Sequence, residues 1–395
     1  MPPVDGRFIH VRMLLDTQIL LDPFPMYREF REKAPVLWAE VMDSWLLFRY
    51  EDVKRAMEDA DAFSSENPLK MPPDAFSTAT MVFQDDPNHA RLRAFAQPAF
   101  TPRRVAMLEQ RIKELCDDLL AEMADKGGAF DLVRAFTGPL PAMVIAELLG
   151  VPRSDFRTFQ RIADDVVHIG TKGKQEQAQR AGQELAEYYA ALVAEKRRTG
   201  ALGNDLTSDF LRSQGAGANF SDREIVAMGP LFLFAGHETT TNLLNNTVRC
   251  LSETPEAKAF LLADLGRAPR ILEEVLRCRG PATGAPRIAR RDIELHGVTI
   301  PAGSRVWPLS LSANRDPRVF DDPERFLPDR NPKNILSFGR GIHKCLGEPL
   351  ARLEAKIAVP ALYRRFPELR VDPERPAVPT PSPLIHGCLE LPVRI

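Results

Sequence analysis

The sequence predicts a mostly α-helical protein with a small β part. Apolar residues recur at helical spacing through most of the middle of the chain, whereas runs with strand character are few and short. There is no internal repeat, low-complexity tract or Ser/Gly linker to mark a boundary, so the 395 residues read as one domain, 1–395.

The elements follow in order. The first 25 residues, "MPPVDGRFIHVRMLLDTQILLDPFP", are interrupted by Asp5, Arg7, His10, Arg12 and Asp16, so they lack the apolar run of a signal peptide or membrane span. "WLLFRY" at 45–50 reads as a strand. Helical spacing then covers 103–125, 139–149, 176–198, 222–252, 255–265 and 268–279. "IELHGVTIPAGSRVWPLS" reads as a hairpin turning near His296 and Gly297. After 312 the chain is irregular and proline-rich until a last helix beyond residue 345.

Composition narrows the class. Hydrophobic residues make up 44% and charged residues 27%, enough apolar material for a large core. A net charge of −2 gives no global field for nucleic acid or an anionic membrane. Five cysteines, an odd number without a C-x-x-C pair, argue against a disulfide framework or a zinc ribbon and for a reducing cytoplasm.

"FGRGIHKCLGEPLARLE", 338–354, carries the most chemistry. Gly339, Gly341 and Gly347 surround Cys345, and glycine is favoured where a backbone must turn sharply or approach another group closely. Leu346, Leu350, Leu353 and Ile357 lie at helical spacing, which puts Cys345 at a helix N-terminus. Such a position favours the thiolate, the form that acts as nucleophile or metal ligand. A buried structural cysteine is the competing reading. Lys344 stands where a dinucleotide fingerprint needs glycine, and no second ligand pair at zinc spacing follows His343 and Cys345.

Phe338, Gly339, Gly341, His343, Cys345 and Gly347 resemble the cysteine-loop signature of the cytochrome P450 family, F-G-x-G-x-H-x-C-x-G. The resemblance implies a triangular helical prism with a long central helix over the haem. It also implies haem b, iron protoporphyrin IX, with Cys345 as thiolate ligand to the metal. A thiolate there pushes electron density to iron and favours O–O cleavage.

Other stretches fit the same family. Ser221 and Glu224 form a capping box that opens the long helix. Within it, Gly236 and three threonines invite a kink, because a threonine hydroxyl can bond a carbonyl one turn back. Pro230 predicts a further bend one or two turns earlier, and Pro360 one in the last helix. Thr241 excludes H-E-x-x-H. Ala235, Gly236, Glu238, Thr239 and Thr240 resemble the family's oxygen-activation motif, in which Glu238 and Thr239 are the catalytic pair relaying protons through water. Glu274 and Arg277, three apart, resemble the E-x-x-R pair, with Arg325 of "PERF" as the third member of a structural triad. His89 and Arg93, with Arg287 and His343, match positions that hold the haem propionates, a task suited to cationic donors. Ala235, Phe338, Gly339 and Gly347 complete the cofactor set. His386 stands where the family pattern leads one to expect arginine.

By position in that pattern, a hydrophobic substrate is lined by parts of 64–84 and 160–180 and by Phe83, Leu231, Phe234, Thr283, Ala285 and Ile385. The implied partners are O2 and a ferredoxin or flavodoxin with its reductase, since no flavin or nicotinamide motif accompanies the cysteine loop. Arg340, Lys344 and Arg352 offer a basic patch for such a partner. A cytoplasmic monomer is the implied state. The implied activity is monooxygenation. A non-catalytic haem-thiolate sensor is the rival, disfavoured because a sensor has no use for a proton relay.

Overall fold

A computed structural model describes residues 17–71, 79–126, 128–166 and 173–395. Parts of the expected substrate-lining stretches, 72–78 and 167–172, lie outside the described residues, as do 1–16 of the N-terminal stretch. The chain forms two compact units. The first comprises Met1–Met71, Asn246–Cys345 and Pro376–Leu389; the second comprises Pro72–Asn245, Leu346–Arg375 and Glu390–Ile395.

The first unit holds a five-stranded sheet, in the order Val36–Ala39, Ser44–Leu47, Arg305–Pro308, Arg287–Ala289 and Phe63–Ser64. Its one parallel pairing sets Trp45 against Val306 and Leu47 against Pro308, and the rest is antiparallel. Val36, Trp45, Leu47, Phe63, Ala289 and Val306 pack one core cluster with Val53 and Met57 of the helix Tyr50–Glu58. The expected hairpin forms from Ile293–Leu295 and Val298–Ile300. His296 and Gly297 both take positive φ, as a tight two-residue turn requires. The "WLLFRY" strand stops at Leu47, because Tyr50 already opens a helix whose first N–H is capped by Asp316 at 3.0 Å.

Helices dominate the second unit. Those expected at 139–149 and 268–279 appear as Pro139–Leu149 and, in the first unit, Ala268–Arg279. The segment at 103–125 divides into Pro102–Ala106 and Glu109–Lys126. Gln175–Thr199 and Asp222–Glu253 match the long expected pair, and the helix runs unbroken through Pro230. At its start Ser221 N donates to Glu224 Oε2 at 2.7 Å and Glu224 N to Ser221 Oγ at 3.3 Å, the reciprocal capping box. The last helix, Glu348–Arg365, likewise continues through Pro360. Among the described residues no helix is long and apolar enough to cross a membrane.

One expected residue is replaced by another. Glu274 and Arg277 are fully buried and joined by two 2.8 Å hydrogen bonds, but Arg325 does not complete the group. Its side chain points outward to Asp322, and only its carbonyl accepts from Arg277. Arg330 donates to Glu274 Oε1 at 3.0 Å instead. The reason is geometric: Leu327 N also bonds Glu274 Oε1, so the chain reaches the carboxylate two residues after Arg325, and Arg330 follows within reach.

This assignment predicts that Arg330→Met leaves a buried carboxylate short of a partner and costs roughly 2–4 kcal/mol of stability. Arg325→Ala, at the surface, changes stability by less than about 1 kcal/mol. Urea unfolding midpoints of the two variants make the check, and equal losses would return the role to Arg325.

Candidate active site

In the first unit the cysteine loop is shaped by its glycines. Gly339 and Gly341 both have φ of +68°, a left-handed conformation that side chains rarely adopt. A Cβ on Gly341 would lie 2.7 Å from the Met57 carbonyl oxygen, so the loop lies flush on the end of the helix Tyr50–Glu58. Cys345 N donates to the Phe338 carbonyl at 2.8 Å and closes the loop, with a single 3-10 turn, Gly341–His343, inside it. Cys345 comes two residues before Gly347, the residue that caps the last helix. Its thiol is exposed, whereas Cys116, Cys250, Cys278 and Cys388 are buried.

Also in this unit, Arg287 is buried at the start of its strand and donates to the Pro286 carbonyl at 2.9 Å. Thr283 and Ile385 are brought together: Thr283 N bonds the Leu384 carbonyl at 3.0 Å, its hydroxyl bonds Pro383 O at 2.5 Å, and Ala282 bridges to Ile385. Ala285 is half-buried beside them in sequence. The His386 ring is buried edge-on against Phe24, and desolvation, reinforced by Arg249 and Arg279, lowers its pKa. Burial without a charge partner explains how a neutral ring occupies a place where arginine was expected.

In the second unit the helix Asn88–Ala96 carries His89 and Arg93 on one face, with His89 buried and its Nδ1 3.1 Å from Asp86. Burial lowers the His89 pKa against the pull of Asp86. Phe83 ends the 3-10 turn Met81–Phe83 and is half-buried. On the long helix Leu231 is half-buried, while Phe234 is 37% exposed and Ala235 is exposed, an unusual display of apolar surface in mid-helix.

One turn on, the Thr239 hydroxyl donates to the Ala235 carbonyl at 2.7 Å, the back-bond expected from the threonine run. Glu238 is buried, and desolvation pushes its carboxyl up to about 8, so it is protonated at neutral pH. A hydroxyl and a neutral acid thus stand on adjacent residues. Arg330, which takes the place expected for Arg325 beside Glu274, was not legible in the sequence, because no local spacing marks it.

The Glu238 environment predicts a pH dependence of stability. Its folded pKa is raised from 4.5 to about 8, so its contribution is fully present below about 4.5 and is lost as pH rises toward 8. Relative to Glu238→Gln, whose amide does not titrate, the wild type loses a few kcal/mol between about pH 5 and pH 8. Urea midpoints of both proteins across that window test this, and a constant difference contradicts it.

The comparisons with known proteins agree with these features. The sequence model described as "Cytochrome P450" matches residues 6–392. The cytochrome P450 monooxygenase PikC of Streptomyces venezuelae is 38% identical, covering 94% of this chain and 91% of its own. The erythromycin C-12 hydroxylase of Saccharopolyspora erythraea is 38% identical over 92% of each chain. The crystal structure of CYP109E1 from Bacillus megaterium in complex with testosterone superposes with a TM-score of 0.88 at 36% identity, covering 96% of this chain and 99% of that one. The chain therefore belongs to the cytochrome P450 family, with that family's fold, its haem b cofactor and its monooxygenase activity.

Proposed function

We propose that the protein inserts one atom of O2 into a hydrophobic small molecule, with electrons delivered by a separate ferredoxin or flavodoxin and its reductase. In this reading the chain 1–395 is a single domain that works as a cytoplasmic monomer. Five free thiols support a reducing compartment.

The residues present fit a haem. Cys345 offers an exposed thiol on a loop that Gly339 and Gly341 turn, that the Phe338 carbonyl closes, and that Gly347 joins to the last helix. Phe234 and Ala235 offer exposed apolar surface of the kind a macrocycle covers. In the proposed assignment Cys345 would hold the iron, and Ala235 is one of the residues that would contact the ring. Arg287, His343, His89 and Arg93 are the cationic donors assigned to its carboxylates. When bound, the haem supplies the redox chemistry that activates O2, and a thiolate ligand favours O–O cleavage.

The observation that carries the oxygenase reading is the Glu238–Thr239 pair. Converting a C–H bond, O2, two electrons and two protons into C–OH and water requires protons delivered one at a time. Glu238, neutral at pH 7, holds one at its carboxyl, and the Thr239 hydroxyl orients water beside it. Phe83, Leu231, Phe234, Thr283, Ala285 and Ile385 are assigned to the substrate, with the Thr283 hydroxyl turned back onto Pro383 and so leaving its methyl for apolar contact. The hydroxylase and the testosterone complex among the relatives support a multi-ring or macrocyclic hydrophobic substrate class. Lys344, exposed beside Cys345, is assigned to docking an acidic redox protein, whereas Arg352 is engaged by Glu348 at 2.5 Å.

The test is turnover of a panel of apolar polycyclic and macrocyclic compounds under 18O2 with a surrogate ferredoxin system. One labelled oxygen atom in the product is expected. Thr239→Ala is expected to divert most electrons to hydrogen peroxide. No labelled product, with Thr239→Ala unchanged in peroxide release, would favour the ligand-binding alternative.

A further inference from the structure

A second set of polar side chains lies on the helix that carries Glu238 and Thr239. His237, Thr241 and Asn245 are spaced four apart, one face of Asp222–Glu253, and all three are buried. All three meet the same two residues, Thr137 and Gly138.

The sequence explains why those two residues need partners. Val133–Thr137 forms a π-turn, closed by Gly138 N donating to the Val133 carbonyl at 2.9 Å, and Pro139–Leu149 follows directly. Pro141 has no N–H, so the Thr137 carbonyl lacks its usual helical donor four residues on. The Thr241 hydroxyl supplies one at 3.0 Å. The Thr137 hydroxyl donates in turn to Asn245 Oδ1 at 2.7 Å, and Asn245 Nδ2 approaches Asn242 Oδ1 at 3.4 Å. Asn242 Nδ2 bonds the carbonyl of Glu238 at 3.0 Å.

His237 completes the row. Burial pushes its pKa down to about 4, so the ring is neutral, and it is hydrogen-bonded to the Gly138 main chain while Nε2 has no partner among the described residues. Between these contacts the helices touch without a gap: a Cβ on Gly236 would lie 2.4 Å from Ile145 Cδ1. The helix can therefore neither rotate nor slide at 236–245 without breaking a buried hydrogen bond or striking Ile145.

We propose that His237, Thr241 and Asn245, gripping the break at Thr137 and Gly138, are positioning residues that fix the turn bearing Glu238 and Thr239. They act through those two residues and so set the share of electrons that ends in product. The share they lose leaves as hydrogen peroxide, formed from O2 with two electrons and two protons. This inference rests on the proton-relay role proposed above for Glu238 and Thr239.

The test compares Thr241→Val, which keeps the shape and removes the hydroxyl, with Thr241→Ser, which restores it, in the haem-loaded protein. Amide hydrogen exchange at 235–239 should quicken about tenfold in Thr241→Val and return to near wild type in Thr241→Ser. Peroxide released per electron pair should rise several-fold in Thr241→Val alone. Thr137→Val, which breaks the Asn245 contact from the other side, repeats the test if Thr241→Val does not fold. Unchanged local exchange, or faster exchange with unchanged peroxide release, overturns the proposal provided Thr239→Ala itself uncouples. If Thr239→Ala does not uncouple, the relay assignment fails first, and the exchange data alone decide whether the clamp exists.

Discussion

The buried pair of Glu274 and Arg277 is the constraint on which the cysteine loop depends. The chain between 314 and 337 is largely irregular, and irregular backbone has no ladder to satisfy its own polar groups. Arg277 donates to the carbonyls of Asn314, Pro323 and Arg325, and Glu274 accepts from Leu327 N and Arg330. A planar five-donor guanidinium is suited to serving several carbonyls at once. Asn314 extends the arrangement by accepting from Leu336 N at 2.8 Å and donating to Ser337 Oγ, which itself bonds the Leu276 carbonyl. Phe338 is the next residue, so the loop begins from a fixed point.

From there the glycines take over. Gly339 and Gly341 reverse the chain in conformations that a side chain resists, and the Cys345–Phe338 hydrogen bond closes it. The thiol is left exposed while the backbone beneath it is pinned on the helix Tyr50–Glu58. On the second unit the long helix solves a comparable problem differently: Thr239 bonds back onto Ala235, and Glu238 is kept neutral by burial rather than by a partner. In both places a polar group is held ready by the structure around it.

The sequence made the loop and the long helix legible because their signals are local. Glycine positions around Cys345, the capping box at Ser221 and Glu224, and the periodicity of 139–149 and 268–279 each depend on neighbours a few residues away. The sheet was less legible. Val36–Ala39 and Phe63–Ser64 are short, and the pairing of Trp45 with Val306 spans most of the chain, so no local pattern announces it. Short helices such as Asn88–Ala96 and Leu206–Gly215 are set by tertiary contacts more than by a long periodic stripe. Arg330 was missed for a related reason: Arg325 sits in a recognisable motif, but which of two arginines reaches Glu274 depends on the path of an irregular chain.

The central claim is that Cys345, alone among the five cysteines in exposing its thiol, is the thiolate ligand of the haem iron. The absorption spectrum of the purified protein, reduced and exposed to carbon monoxide, tests it most directly. A strongly red-shifted Soret band that disappears in Cys345→Ala is the result this account predicts. A band at the shorter wavelength of histidine-ligated haem, or a red-shifted band that survives in Cys345→Ala, would contradict it.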